Sequence, residues 1–254
     1  MSEPVIYEVR DRVAWITINR PEQRNAMNLA VRSGLFESFK KAEEDERVRV
    51  IVLTGAGDRA FSAGGDLKEM SGNSLGVPAA DFAPRLRRNI HVTKPTIAAV
   101  NGFAYAGGFL LAQMCDLCVA SESASFAITE AKWSRGAPWS IPAFRQLPQR
   151  IMLELLLTAQ PIGAARMHEL GFVNRLAPAD QLVEATTELA GVLVENAPLT
   201  IKGHIQMAYL GQEMGVTAAE EAADAIFVPI YSSEDAKEGP RAFAEKRKPE
   251  WRGR

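Results

Sequence analysis

The run from Thr96 to Asp116, TIAAVNGFAYAGGFLLAQMCD, carries no charged side chain before its final aspartate. Such a segment belongs either in a core or in a membrane. Asn101, Gln113 and three glycines interrupt it, and no cluster of Lys or Arg flanks it as a membrane anchor requires. It therefore reads as a short buried strand over Thr96 to Asn101, a glycine-bearing turn and an apolar helix. Gly107 and Gly108 fall where the turn enters the helix. A helix N-terminus has unpaired N–H groups and partial positive charge, and glycine lets a ligand come close to them. An oxyanion could be held there by backbone alone.

The chain has 254 residues, which suits one large domain or one domain with a small appendage. Its hydrophobic content of 47% and charged content of 24% are those of a soluble globular protein that needs no disulfide or metal to fold. A net charge of −2 argues against broad nucleic-acid binding, although a local basic patch would suffice for an anionic small ligand. The acidic start MSEPVIYEVRD lacks an apolar run of signal-peptide length, and two cysteines fit a reducing compartment. The expectation is a cytoplasmic protein without nucleic-acid or membrane partners.

In chain order, Val5 to Val9 and Val13 to Asn19 read as strands joined by Arg10-Asp11-Arg12. Asn28 is placed to cap a helix reaching Glu44, with Val31, Leu35, Phe39 and Ala42 as one apolar stripe. Arg49 to Thr54 suits a strand buried on both faces. Gly55 to Ala60 loosely matches a dinucleotide fingerprint, but it runs into another glycine-rich turn rather than a helix, and no acidic ribose partner follows. A short helix over Leu67 to Met70, a loop from Ser71 to Pro84 and a helix over Leu86 to Thr93 are expected next. Strands at Leu117 to Ala120 and Ala124 to Ile128 complete an alternation that points to βαβ units. Beyond Leu147 the chain reads as mostly helical: Gln149 to Leu157, Ala164 to Leu170, Ala179 to Glu195, Leu199 to Leu210, Ala218 to Tyr231 and Glu234 to Lys246.

Two glycine-rich turns stand out, Ala63-Gly-Gly-Asp66 and Ala106-Gly-Gly108. Each follows a strand and precedes a helix. Taken singly, each is a tight turn; brought together, they would aim two N–H groups at one oxygen, the arrangement that stabilises a developing oxyanion. Cys115-x-x-Cys118 stands without a second pair or a nearby His, and His91, His168 and His204 lack metal-ligand spacing, so no metal site is expected. Neither a Gly-x-Ser-x-Gly nucleophile motif nor a Walker loop is present.

Over nearly its whole length the chain resembles the crotonase, or enoyl-CoA hydratase/isomerase, superfamily. The resemblance rests on Ile18-Asn-Arg-Pro21, Arg24-Asn-Ala-Met27, Ile51-Val-Leu-Thr-Gly55 and Phe61-Ser-Ala-Gly-Gly-Asp-Leu-Lys68. It continues through Lys94-Pro95, Ala98-Ala-Val-Asn-Gly102, Gly107-Gly108, Met114-Cys-Asp116, Ala165, Glu169-Leu-Gly-Phe-Val-Asn174 and Phe243-Ala-Glu-Lys-Arg247. It implies an α/β fold, a spiral of ββα/βαβ turns over residues 1–196, with a C-terminal helical trimerisation region over 197–254. It also implies an acyl-CoA thioester as substrate, no separate cofactor, and a homotrimer or a hexamer made of two trimers. By position the N–H groups of Gly65 and Gly107 would hold the thioester oxygen. Arg24, Asn25, Ala26 and Met27, with Ala63, Gly64, Asp66 and Leu67, would line the path of the CoA. Lys246 could reach CoA phosphates, from this or another subunit, or belong to a solvated basic tail.

Hydratases of this superfamily use two glutamates. Here the first position is Leu110, which cannot transfer a proton, and the second is Glu130, in Phe126-Ala-Ile-Thr-Glu130. Further on, Ser134-Arg-Gly-Ala-Pro-Trp-Ser-Ile141 departs from the family's glycine-rich loop. Pro138 falls where a glycine would offer an N–H, and proline has none. Trp133 and Trp139 could close an acyl pocket or belong to the core. The resemblance thus implies a thioester enolate, with Glu130 as sole acid/base and Δ3,Δ2-enoyl-CoA isomerisation favoured over 2-trans-enoyl-CoA hydration. Other enolate reactions, C–C hydrolysis or decarboxylation, and a non-catalytic acyl-CoA binder stand as alternatives.

Overall fold

A computed structural model describes residues 3–72 and 77–254. Strands β1 (Val5–Arg10) and β2 (Val13–Ile18) form an antiparallel hairpin. Its turn residues Asp11 and Arg12 both have positive φ, 46° and 67°, the backbone hand that matches hairpin twist. Helix α1 (Leu29–Glu44) starts where the Asn28 side chain accepts the Val31 N–H at 3.0 Å, and it buries the stripe Val31, Leu35, Phe39 and Ala42. At its far end the Lys94 ammonium donates to the Ala42 and Asp45 carbonyls, both at 2.7 Å.

Next come β3 (Val50–Gly55), β4 (Ala60–Ser62), α2 (Leu67–Gly72), β5 (Thr96–Val100), β6 (Phe103–Tyr105), α3 (Gly107–Met114), β7 (Leu117–Ser121) and β8 (Ser125–Ala127). Two 3₁₀ segments, Glu130–Trp133 and Pro138–Arg145, lead to α4 (Gln149–Thr158), β9 (Ile162–Gly163), α5 (Ala164–Glu169) and β10 (Arg175–Ala177). Helices α6 (Leu182–Glu195), α7 (Pro198–Glu213), α8 (Val216–Tyr231) and α9 (Glu234–Ala244) complete the chain.

The strands form two sheets. A six-stranded sheet runs β1-β2-β3-β5-β7-β10, parallel from β2 onward, and a four-stranded sheet runs β4-β6-β8-β9. The consecutive pairs β3/β4, β5/β6 and β7/β8 each give one strand to each sheet, so the chain winds as a spiral. β3 is buried on both faces. Ile51 and Leu53 join the main core with Phe39, Phe61, Phe109 and Phe126. Val50 and Val52 join a second cluster under α6 with Trp15, Ile97, Val119, Leu182 and Ala190. A strand covered on both sides reads as a continuous apolar run, as this one does.

Three expectations change. The helix over Leu86 to Thr93 is absent. Arg87 has φ 63°, and the Asn89 side chain accepts the Arg85 N–H at 2.7 Å while donating to the Ala80 and Ala83 carbonyls. These local side-chain bonds replace a helical ladder. The glycine-bearing turn after β5 contains β6, a strand too short to show periodicity. The helix expected from Ala179 begins as a 3₁₀ turn, Ala179–Gln181, and becomes α-helical at Leu182. The loop expected from Ser71 to Pro84 falls partly on residues 73–76, which lie outside the described residues.

A half-buried charge ties α7 to the spiral, and the carboxylates of α9 tie that helix to the residues that follow it. The Asp116 carboxylate takes Arg87 at 2.9 Å, the Thr96 N–H and hydroxyl at 2.8 and 2.7 Å, and the Tyr209 hydroxyl of α7 at 3.2 Å. On α9, Asp235 accepts the Arg252 and Gly253 N–H groups, and Glu238 binds Arg247, Arg241 and the Glu250 N–H. Among the described residues no helix is long and apolar enough to cross a membrane.

Two glycines test the close packing with opposite signs. A methyl group on Gly108 would overlap the Ser62 carbonyl oxygen, whereas one on Gly211, exposed in α7, meets nothing within 4 Å. By chemical denaturation Gly108→Ala should lose at least about 2 kcal/mol, from overpacking against backbone. Gly211→Ala should gain up to about 1 kcal/mol, the helix-propensity difference.

Candidate active site

The first wall of the site is the loop from Arg20 to Met27. Asn25 is fully buried at φ 55°, a conformation asparagine tolerates. Its side chain accepts the Arg20 N–H at 3.0 Å and donates to the Ala56 and Ala60 carbonyls at 2.9 and 2.7 Å. Asn25 therefore shapes the loop from within. Arg24, exposed at φ 54°, and half-buried Ala26 form its surface, and Met27 is 1% exposed.

The second wall is the turn after β4. The Met27 N–H donates to the Gly64 carbonyl at 2.7 Å, and the Asp66 N–H donates back to the Met27 carbonyl at 3.2 Å. The Arg20 guanidinium binds Asp66 at 2.9 Å and the Ala26 carbonyl at 2.6 Å. Asp66 also accepts the Lys68 and Glu69 N–H groups at the head of α2. Its burial favours the neutral acid, but these bonds and the Arg20 charge hold its carboxyl below the usual range. The Ser62 hydroxyl, donating to the Asn25 carbonyl at 2.8 Å and accepting the Gly64 N–H at 3.2 Å, was not singled out from the sequence. Its place two residues before Gly64 was the available signal. Leu67 is 52% exposed and Ala63 half-buried beside it.

The third wall is the turn from β6 into α3. Ala106 adopts φ 50° and ψ −120°, a costly conformation for a residue with a Cβ. It is held by its N–H donating to the Ala127 carbonyl at 2.9 Å and its carbonyl accepting the Leu110 N–H at 3.1 Å. The two glycine turns lie against each other. A Cβ built on Gly64 would sit 2.8 Å from the Ala106 Cβ and 2.9 Å from the Gly107 nitrogen, and one on Gly107 would sit 3.6 Å from the Gly65 nitrogen. Gly65 and Gly107 are half-buried, and among the described residues neither N–H donates to a protein acceptor. Two free N–H groups thus sit side by side, one at a helix N-terminus. Such a pair can hold an oxygen that gains charge, each donor worth about 3–4 kcal/mol in a site shielded from water.

Glu130 stands three residues after Ala127, the residue bonded to Ala106. Burial pushes its carboxyl up to about 7, against its own backbone N–H, the Trp139 side chain and the Thr129 N–H, all of which favour the anion. Its Oε2 is buried without a hydrogen-bond partner among the described residues. Leu110, in the first turn of α3, is 6% exposed and supplies no proton. Pro138 opens the 3₁₀ segment Pro138–Arg145, a position where its missing N–H costs nothing. Trp139 packs on Phe109 with ring centroids 6.2 Å apart, whereas Trp133 is 58% exposed.

Lys246 is not drawn to these walls: it lies in an exposed turn after α9 at φ 53°, its N–H donating to the Phe243 carbonyl at 3.2 Å. Cys115 and Cys118 are buried free thiols, both pushed up by burial, Cys118 to about 12, so neither is a ready nucleophile. His168 bonds the Val173 carbonyl at 2.8 Å, His204 packs on Phe227 and His91 is exposed. No group of metal-ligating side chains occurs among the described residues. A separate cavity of about 780 Å³ is lined by Arg12, Arg49, Lys94, Lys202, Trp251 and Arg252 and includes neither glycine turn nor Glu130. Within it Lys94 is spent on α1, and Arg49 donates to the Trp251 carbonyl at 3.1 Å.

The sequence model described as enoyl-CoA hydratase/isomerase matches residues 8–254. The chain belongs to the enoyl-CoA hydratase/isomerase family. Carnitinyl-CoA dehydratases from Salmonella typhi and Escherichia coli K12 are 37% and 38% identical to it over 269 residues, with all of each chain covered. An enoyl-CoA hydratase EchA1 from Mycobacterium marinum superposes with a TM-score of 0.93 at 36% identity, again over all of both chains. An enoyl-CoA hydratase subunit from Geobacillus kaustophilus does so at 0.91 and 35%. The fold expected from the resemblance is therefore that of solved family members, and the chain is an enzyme of a family that acts on acyl-CoA substrates.

Within that enoyl-CoA hydratase/isomerase frame, the Glu130 environment has a consequence separate from catalysis. A carboxyl raised to about 7 favours folding below the pH where the unfolded acid ionises, and that contribution fades as pH rises through the folded value. Glu130→Gln should thus raise stability at pH 8 by up to about 3 kcal/mol and leave it unchanged near pH 4. Thermal denaturation across pH reads this directly. A pH-independent difference would mean that Glu130 is an ordinary surface acid.

Proposed function

We propose that this enzyme moves a double bond within an acyl-CoA thioester, converting a 3-enoyl-CoA into the 2-trans isomer. What supports the reading is one largely buried carboxyl, Glu130, three residues after the Ala127 whose carbonyl holds Ala106 at the second glycine turn, with Leu110 in place of a second acid. Ionised Glu130 takes a proton from C2 of the 3-enoyl thioester. The electron pair moves into the carbonyl, and the N–H groups of Gly65 and Gly107 hold the resulting enolate oxygen. Protonated Glu130 then returns the proton to C4, and the electrons close the C2–C3 double bond. One proton leaves and one returns, so a single acid of near-neutral pKa serves both steps. No cofactor is needed beyond the CoA that the substrate carries.

Hydration and its reverse are the second reading, favoured by the names of the dehydratase and hydratase relatives. Water addition requires one group to activate water and another to protonate C2, and here both tasks would fall to Glu130. The proposal extends to a homotrimer, singly or stacked in pairs. Exposed apolar residues on the later helices support it, among them Val228, Tyr231 and Phe243 at 64%, 77% and 86%. In such an assembly Lys246 would approach CoA phosphates across the subunit boundary.

The deciding assay incubates the purified enzyme with 3-enoyl-CoA and, separately, with 2-trans-enoyl-CoA, resolving products by chromatography and mass. Interconversion of isomers without mass gain is expected. Addition of one water to the 2-enoyl substrate as the main reaction would replace isomerisation with hydration. Glu130→Gln should lower kcat at least about a thousandfold while CoA-thioester binding stays within a factor of a few.

A further inference from the structure

We infer that Arg32 is a positioning residue for the oxyanion donor: one guanidinium nitrogen holds the Gly65 peptide in place along two paths, through the Met27 carbonyl and through Glu69 of α2. This rests on the reading of the Gly65 N–H given above.

Glycine has no side chain to anchor it, so the direction of its N–H must come from its neighbours. The first path is backbone. Met27 and Gly65 form an isolated parallel bridge, in which the Gly64 carbonyl accepts the Met27 N–H at 2.7 Å and the Met27 carbonyl accepts the Asp66 N–H at 3.2 Å. A carbonyl oxygen has two lone pairs. The second one here takes the Arg32 Nη1 at 3.1 Å, which fixes the peptide that grips Asp66.

The second path runs through α2. The Glu69 carboxylate accepts the same Arg32 Nη1 at 2.8 Å with one oxygen and the Leu29 N–H at 2.9 Å with the other. Both oxygens are thus committed to the first turn of α1, a helix end whose unpaired N–H groups and partial charge favour a carboxylate. The next residue of α2 is Met70, and its thioether lies against the donor glycine. A Cβ built on Gly65 would sit 2.7 Å from the Met70 Sδ. Met70 therefore fills the space beside Gly65, and Glu69 sets where Met70 lies.

Arg32 is itself constrained. Its guanidinium carbon stands 4.3 Å from the centroid of the Phe82 ring, a cation–π contact. Its side chain is 12% exposed and that of Glu69 28%, so the pair is shielded from water and its charge-assisted bond is strong. Two hydrogens on one nitrogen join the bridge and the helix that flank Gly65. An oxyanion donor works only when it is aimed at the place where charge develops, so this clamp acts on catalysis without touching substrate.

Arg32→Met keeps an apolar stem against Phe82 and removes both bonds. The readout is the infrared carbonyl stretch of butyryl-CoA, isotopically labelled at its carbonyl carbon and bound to the enzyme. In the wild-type complex the two N–H donors should lower this band below its position in water. In Arg32→Met the band should move back toward that position, and kcat should fall roughly tenfold with KM little changed. Glu69→Gln, which keeps an acceptor for the Leu29 N–H, should shift both quantities the same way by less. It carries the test alone if near-ultraviolet circular dichroism shows Arg32→Met to be unfolded. A carbonyl band that stays at the wild-type position in a folded variant would overturn the inference, whatever happens to the rate. So would a rise in KM at constant kcat, which would make Arg32 a support of the CoA path only. The two readings fail separately. An undisplaced band in the wild-type complex sinks the role of the glycine N–H groups, whereas a displaced wild-type band that Arg32→Met leaves unmoved sinks only the clamp.

Discussion

Everything in the candidate site depends on backbone meeting backbone. The turn after β4 and the turn after β6 approach until a Cβ on Gly64 would lie within 3 Å of the neighbouring Ala106 and Gly107 atoms. Side chains at those positions would push the turns apart and with them the two free N–H groups. The same closeness forces Ala106 into positive φ, and it is sustained only because strand pairing and the Ala127 carbonyl over-determine that residue. Around this contact the polar side chains act as fasteners. Asn25, Ser62, Arg20 and Asp66 spend their hydrogen-bonding capacity on loop backbone and on each other, which keeps the walls rigid.

Against that rigid frame Glu130 is a local sacrifice. Burial of a carboxyl with one oxygen unpartnered works against folding once the acid ionises. A core of this extent can absorb the loss, and the reward is an acid whose protonation is balanced near neutral pH. Stability and chemistry pull in opposite directions at one residue, while the neighbouring Leu110 pulls only toward packing. That asymmetry between two positions on adjacent turns of the spiral is what separates a one-carboxylate site from a two-carboxylate one.

Much of this was legible from residue patterns. The double-faced apolar run of β3, the Asn28-capped stripe of α1 and the uncharged stretch through β5 and α3 each follow from burial and periodicity. What pattern reading missed shares one cause: the deciding bonds join residues far apart in sequence or are made by side chains to backbone. β4, β6 and β9 are two or three residues long and exist because a neighbouring strand pairs with them. The segment from Leu86 to Thr93 reads as a helix, yet Asn89 and the left-handed Arg87 claim its backbone. Asn25 was expected to face the substrate path, and its hydrogen bonds turn it inward. The proximity of the two glycine turns could be argued only from the family resemblance, since nothing local to either turn encodes the other.

The spiral has a metrical consequence. The turns bearing Gly65 and Gly107 leave the ends of β4 and β6, which are hydrogen-bonded parallel neighbours pairing Ala60 with Phe103 and, past a one-residue shift in register, Ser62 with Ala104. Their spacing is therefore inherited from the distance between paired strands, about 4.8 Å, and the absence of a side chain at Gly64 lets the turns keep it. The gauge of the anion cradle is set by the ladder, as the gauge of a railway is set by its sleepers. Residues on the later turns of the spiral, such as Leu110, Glu130 and Trp139, can change without altering it, so new reactions can arise over an unchanged cradle.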